Sequence, residues 1–252
     1  MLKHLTTTGY IAPLREGGSL PALAEADDRQ LYVVKFRGAG QGRKALIAEL
    51  IAGEIGHTLG LNVPELAIIE LDPAFGKTER DPEIQDLLRA SAGLNLGMAY
   101  LPGALMFDPL AEQSIDSKLA SAIVWFDALV LNVDRTIKNP NLLFWREEMW
   151  LIDHGAALYF HHNWSGDYMA RSRAPFALLG EHVLLPFARD LGQIDEKLAE
   201  RLSPQRLEQI IAAIPDEWLI GEPAFEQTDD ARRAYLQFLT ERLRAPRQFF
   251  KR

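Results

Sequence analysis

The hydrophobic and polar positions of the chain change rhythm along its length. Asp27-Asp28 is a turn signal, and the β-branched and aromatic run Leu31-Tyr32-Val33-Val34-Lys35-Phe36 after it predicts a strand. A polar stretch follows, Arg37–Lys44. Apolar residues then recur at Leu46, Ile47, Leu50, Ile51, Ile55 and Leu59, the spacing of an amphipathic helix, which Gly60 is placed to end. Pro64–Leu71 reads as another strand. Beyond Pro73 the pattern predicts a short helix over Pro82–Ala92 and a short strand or extended connector over Leu94–Leu101, ending in Pro102-Gly103. From Asp116 onward helices dominate. Ile115, Leu119, Ala122, Ile123, Phe126 and Leu129/Val130 form one stripe, and further helices are predicted over Phe176–Leu191, Pro204–Ile214 and Asp230–Arg244. Ser203-Pro204 gives the second of these an N-cap and a proline at the first helical position. The pattern predicts an α+β protein of two lobes. Residues 1–100 would form a small strand-rich N-terminal lobe and residues 101–252 a larger helical one, with a hinge near residues 95–105 and a ligand cleft between them.

Composition narrows the function classes. The 252 residues are 48% hydrophobic and 25% charged, the proportions of a folded globular chain rather than a disordered one. With 27 Lys+Arg against 35 Asp+Glu the net charge is −8, which argues against direct nucleic-acid binding as the main activity. There is no cysteine, so disulfides, thiolate metal sites and Cys nucleophiles are excluded. The apolar stretch Ala120–Leu131 is interrupted by Asp127 and falls short of the ~20 residues of a membrane span. Met1-Leu2-Lys3-His4 lacks the apolar core of a signal peptide, so a cytoplasmic location is expected.

The densest chemistry lies in Asn132–Trp145. An apolar helix ends, the polar loop Asp134-Arg135-Thr136-Ile137-Lys138-Asn139-Pro140-Asn141 follows, and Leu142–Trp145 resumes as a strand. A second strand, Trp150-Leu151-Ile152, ends in Asp153-His154-Gly155. A turn at Arg146-Glu147-Glu148 would fold the second strand back, returning Asp153 to Asp134 and Asn139. Two carboxylates and a carboxamide at one mouth suit Mg²⁺, a hard cation that takes oxygen ligands and phosphates. A free Asp beside them can accept a hydroxyl proton. The order matches that of a kinase catalytic loop followed by a metal-binding Asp.

Asp134-Arg135-x-x-x-Asn139 followed by Ile152-Asp153-x-Gly155 resembles the HipA-like kinases and their relatives, the type II phosphatidylinositol kinases. The resemblance extends to Tyr32-Val33-Val34-Lys35, the helix bearing Glu49, Gly60-Leu61-Asn62-Val63-Pro64 and Leu101-Pro102-Gly103. It implies a protein-kinase-like fold that binds Mg²⁺ and ATP between its lobes and phosphorylates a protein Ser/Thr hydroxyl. In that implied scheme Asp134 is the catalytic base, and Asn139 and Asp153 are the metal ligands. Lys35 contacts the α/β-phosphates and is held by Glu49. Gly17-Gly18-Ser19 covers the phosphates, and Met98 and Tyr100, within the connector Gly97–Leu101, bind adenine. The chain departs from ordinary protein kinases in lacking GxGxxG and His-Arg-Asp, and in carrying Asp153-His154-Gly155 for Asp-Phe-Gly. HipA proteins proper also carry an extra N-terminal region ahead of the strands.

Alternatives accompany several of these residues. Asn141 rivals Asn139, and Glu54 rivals Glu49. On strand alternation Lys35 shares a face with Leu31 and Val33 and points inward, where a lone Lys needs a partner. Ser19 is a candidate phosphorylation site or a plain polar residue. His154, His161, His162 and Asp167 are a weak metal cluster, and Arg37, Arg43 and Lys44 read as solvated charge. Trp218, Phe225, Tyr235 and Phe238 read as core. A second function class keeps the nucleotide pocket but acts by protein binding, as a regulatory or toxin–antitoxin module with an antitoxin-like partner.

Overall fold

The computed structural model describes residues 2–14, 20–40, 42–72, 81–111, 115–164 and 167–251. Five strands, β1 (Lys3–Pro13), β2 (Ala22–Ala26), β3 (Leu31–Lys35), β4 (Leu66–Leu71) and β5 (Gly93–Ala99), close a barrel in the order β1-β2-β3-β5-β4. The β1–β4 pair is parallel and the others antiparallel. Alternation along β3 sends Tyr32 and Val34 into the barrel with Ala22, Ala24, Ile69 and Leu71. The other face of β3, with Val33 and Lys35, lines the cleft. The inward direction expected for Lys35 is therefore toward the cleft rather than into the core. A short helix, α2 (Pro82–Ala90), covers the barrel with Ile84 and Leu88, and its N-cap Asp81 accepts from Glu83 N–H at 3.0 Å.

The helix α1 (Gly42–Leu59) is not the one-sided surface helix its spacing predicted. Its residues are buried on all sides from Leu46 to Ile55 except Glu54, because β4 and β5 cover one side and the helices α5 (Leu191–Arg201), α6 (Pro204–Ala212) and α7 (Asp216–Leu219) the other. A helix apolar all round is a buried helix. Gly53 and Gly56 let it approach closely: a Cβ on Gly53 would lie 2.6 Å from Leu66 Cδ1, and one on Gly56 2.8 Å from Val63 Cγ2. Gly60, at φ +78°, ends α1 as expected, with Leu61 N–H donating to Gly56 O at 3.0 Å. The basic residues read as solvated charge instead clasp the helical half of the molecule. Arg37 meets Glu217 at 2.7 Å, Arg43 donates to Ile220 O at 2.6 Å, and Lys44 meets Glu222 at 2.9 Å.

The chain leaves the barrel through Tyr100–Ala104 and forms a small sheet in the order β6 (Leu105–Met106), β7 (Leu142–Trp145), β8 (Glu148–Leu151). The turn expected between the last two strands is present, and Arg146 and Glu147 both have positive φ, 51° and 66°. Such a two-residue turn matches the twist of the strands it joins. Strand β8 starts two residues earlier than the pattern predicted. Helix α3 (Ser117–Val130) is capped by Asp116, which accepts from Leu119 N–H at 2.8 Å. On it pack α5 and α8 (Thr228–Leu243), and α4 (Tyr168–Arg173) and α6 pack in turn on α8, with Trp218, Tyr235 and Phe238 buried as expected and Phe225 partly so. The helix expected over Phe176–Leu191 is absent. That span makes only 3₁₀ turns, at Leu179–Glu181 around Gly180 and at Leu185–Phe187 around Pro186, which lacks an N–H to continue an α-helical ladder. The regular helix there is α5, which begins where the predicted one ended. No helix among the described residues is long and apolar enough to cross a membrane.

The close approach of α1 yields a stability prediction. Gly56→Val is expected to cost about 1–3 kcal/mol by overpacking. Gly192→Ala, on the open first turn of α5, should leave stability unchanged or raise it by up to about 1 kcal/mol. Urea titrations followed by tryptophan fluorescence measure both.

Candidate active site

Lys35 ends β3, Glu49 lies on α1, and Asp153 follows β8. The fold brings these three distant residues together. Lys35 Nζ donates to Glu49 Oε2 at 2.9 Å and to Asp153 Oδ1 at 2.6 Å. Glu49 is fully buried, whereas the Asp153 side chain is 48% exposed. Burial pushes the Glu49 carboxyl up, but the Lys35 ammonium and the neighbouring His154 outweigh it and hold the pKa at about 2. Burial likewise pulls the Lys35 ammonium down, and its two carboxylates more than reverse this, leaving it raised. Glu54 is not a partner of Lys35. It faces His57 at 3.3 Å and Arg206 at 3.6 Å. Asp153 has φ +55°, unusual for a residue with a Cβ, and this conformation turns its carboxylate to Lys35.

The polar loop starts where Leu131, at φ +55°, ends α3. It is held from inside by Asp127, the acid that interrupts the apolar run of that helix. Asp127 is fully buried; its Oδ2 accepts from Arg135 Nε at 2.5 Å and lies 2.9 Å from His182 Nε2, and its Oδ1 accepts from Asn132 Nδ2 at 2.8 Å. Burial raises the Asp127 carboxyl, but Arg135 and His182 dominate and leave it far below the usual carboxylate range. Arg135 also donates to Pro140 O at 3.2 Å and Asn141 O at 2.5 Å, closing the loop on itself. The Asn141 carbonyl takes a second bond from Ile152 N–H at 3.1 Å, tying the loop to the strand end that carries Asp153.

On this frame Asp134 and Asn139 face one another, Asn139 Nδ2 donating to Asp134 Oδ2 at 2.7 Å. Asp134 is raised above its ordinary value, first by burial and then by the negative charge of Asp153, against the opposing Asn139 hydrogen bond. At Lys35 and Asp153 opens a cleft of about 600 Å³, whose described lining includes neither Asp134 nor Asn139. Val33, Met98, Leu143 and Ile152 give it apolar walls, and Lys35 and Asp153 lie at its polar end. Met98 and Tyr100 both line this cleft, as expected of the connector. Gly97 and Met98, however, are part of β5 and pair with both neighbouring strands, and Tyr100 N–H is spent on Leu31 O at 2.9 Å. The free connector therefore begins after Tyr100. Gly17, Gly18 and Ser19 lie outside the described residues.

The oxygen donors suit a hard cation. Lys35 occupies Asp153 Oδ1, leaving Oδ2, and the bond from Asn139 to Asp134 uses the amide nitrogen, leaving Asn139 Oδ1. The histidines gather no metal site among the described residues. His154 packs edge-on against Phe126 with centroids 5.5 Å apart, and His161 Nδ1 lies 3.0 Å from Tyr235 OH. Asp127 and His182 are positioning residues that motif reading passed over, and Arg135, part of the quoted motif, was given no role there. The signal for the first was an acid inside an apolar helical stripe. Nothing local marks His182.

The two acids on the loop predict opposite outcomes. Asp127→Asn removes the counter-charge of a buried guanidinium and is expected to destabilise by about 3–5 kcal/mol. Asp134→Asn should be neutral or stabilising at pH 7, because a carboxyl whose folded pKa is raised destabilises the fold when ionised. Denaturant midpoints of the two variants distinguish them.

The chain matches the HipA-like kinase family over residues 9–251. Among solved structures it is similar to the Helicobacter pylori proinflammatory kinase CtkA, at 14% identity and a TM-score of 0.57, covering 99% of this chain and 96% of that one. A weaker similarity, at 12% identity and a TM-score of 0.43, covers 96% of this chain and 71% of a Golgi casein kinase. No curated protein sequence matches. The CtkA likeness concerns the fold alone. The family match spans the barrel, the cleft and both acidic motifs, and on it the chain belongs to the HipA-like kinases.

Proposed function

We propose that this protein transfers the γ-phosphoryl group of ATP, with Mg²⁺, to a protein Ser/Thr hydroxyl. The observation that carries the reading is the meeting of Lys35, Glu49 and Asp153 at the polar end of the 600 Å³ cleft, with the Asp134–Asn139 pair alongside. Adenine fits between the apolar walls, against the connector beyond Tyr100. Lys35, fixed by Glu49, presents its ammonium to the phosphates, and the Gly17-Gly18-Ser19 segment is assigned to cover them. Asp153 and Asn139 offer oxygens to the metal, which when bound neutralises phosphate charge. Asp134 orients the acceptor hydroxyl and takes its proton as the new O–P bond forms and the bond to the ADP leaving oxygen breaks. Its raised pKa makes it a better base than an ordinary Asp. The Ser/Thr acceptor follows from the family resemblance, and a cytoplasmic location, where ATP and Mg²⁺ are at hand, fits this reading.

Thermal unfolding with and without ATP and Mg²⁺ tests the binding half. A ligand at 100 times its Kd adds about 2.7 kcal/mol. Wild type should therefore show a Mg²⁺-dependent rise in Tm that Asp153→Ala loses. Transfer of ³²P from ATP to casein or to the protein itself tests the chemistry, and Asp134→Ala is expected to lower kcat about 10²–10⁴-fold. Binding without transfer would instead favour a regulatory, protein-binding module.

The acid limb of kcat should follow Asp134. Its base form is lost as pH falls through a pKa above the ordinary 3.8. Asn139 lowers that pKa, so Asn139→Ala should move the limb to higher pH. A pH–rate profile whose limb stays fixed in Asn139→Ala would count against Asp134 as the base.

A further inference from the structure

The ring of His154 is fully buried, as is Glu49, and His154 Nδ1 lies 3.6 Å from Glu49 Oε1. Neither ring nitrogen nor Glu49 Oε1 has a hydrogen-bond partner. Each buried polar atom left without one costs about 1–3 kcal/mol. A phenylalanine would keep the edge-on packing against Phe126 without that cost, so packing alone does not explain an imidazole here.

Connectivity does. Lys35 joins Glu49 Oε2 to Asp153 Oδ1, the peptide bond joins Asp153 to His154, and His154 faces the second oxygen of Glu49. The four residues make a ring that is one contact short of closed. The 3.6 Å separation exceeds a hydrogen bond by about 0.5 Å, and hydrogen bonds of catalytic sites commonly tighten only in the substrate complex. Glu49 itself cannot drift, because α1 is pinned near its start by Arg43 and Lys44 and near its end by Arg206, which donates to Thr58 Oγ1 at 2.9 Å.

We propose that His154 is a positioning residue that donates its Nδ1–H to Glu49 Oε1, so that the strand end carrying Asp153 is registered against α1 and Lys35. This rests on the phosphotransfer reading of the site and adds a residue to it. A Phe at this position leaves the Asp153 segment with no polar link to α1 other than Lys35, whereas the imidazole gives it its own polar anchor on Glu49 in a dry environment, where such a bond is strongest.

His154→Phe and His154→Asn form the test, the second keeping a donor near Nδ1. In nucleotide-free wild type, ¹H–¹⁵N correlation spectra of the imidazoles should show His154 as the Nδ1–H tautomer, with an exchange-protected proton whose shift moves in Glu49→Gln. In turnover with ATP and Mg²⁺, His154→Phe should lower kcat about 10–100-fold, the loss usual for residues that orient a metal ligand. Its KM for ATP should hold near wild type and its Tm should stay level or rise, and His154→Asn should recover most of the loss of kcat. An Nε2–H tautomer, or a His154→Phe enzyme with wild-type kcat, overturns the proposal. If wild type itself shows no turnover, the phosphotransfer reading fails on that result, and the tautomer alone decides the His154 contact.

Discussion

A lysine ammonium can be buried only where carboxylates meet it, and the architecture of this protein follows from meeting that condition at Lys35. An unpaired charge at that depth costs several kcal/mol. Its partners lie 14 and 118 residues away in sequence, Glu49 on α1 and Asp153 beyond β8. The barrel, the buried helix and the hairpin of the helical half must all be in place before the charge is compensated. One ion therefore couples the two halves, and the basic clasps from Arg37, Arg43 and Lys44 reinforce the same junction.

A second polar centre does a different task with similar groups. Asp127, Arg135 and His182 are closed off from solvent; both Asp127 oxygens and Arg135 Nε and Nη1 are spent on one another or on the loop they hold, while Arg135 Nη2 has no partner. Its product is shape. The loop emerges with Asp134 and Asn139 half-buried and bonded to each other, and with its Asn141 carbonyl bonded to the strand that delivers Asp153. A loop that must present charged groups at a cleft cannot rely on apolar packing of its own. A buried ion pair inside α3 supplies the anchor instead.

Much of this was legible in the sequence wherever a local rule applied. Alternation in Leu31–Phe36 placed Lys35 away from solvent, and the apolar–turn–apolar order of Leu142–Leu151 gave the hairpin that returns Asp153. Gly60 and Ser203-Pro204 marked helix ends because capping depends on neighbours a few residues away. The failures share a cause. The period of α1 suggested one apolar face, but its remaining residues are small or covered by α5–α7, a contact no local window contains. Phe176–Leu191 has helical spacing, yet His182 is drawn to Asp127, 55 residues distant, and Pro186 lies in a 3₁₀ turn. Strands β1 and β2 have weak patterns of their own and are specified by their neighbours in the closed barrel.

The difference in exposure between the two carboxylates on Lys35 bears on how the site can work. Glu49 is sealed, so its pair with Lys35 is screened neither by water nor by salt and holds the ammonium fixed. Asp153 is 48% exposed, so its pair with Lys35 is open to water and salt and is the more weakly held of the two. In the phosphotransfer reading proposed above, incoming phosphates would replace Asp153 on Lys35, releasing the Asp153 carboxylate for a cation that arrives with them. A Lys35 held by two sealed carboxylates would resist that exchange, and one held by two exposed carboxylates would not be in position for it. The site needs one of each, and the fold supplies them by drawing Glu49 from a helix buried on every side and Asp153 from a strand end at the cleft mouth.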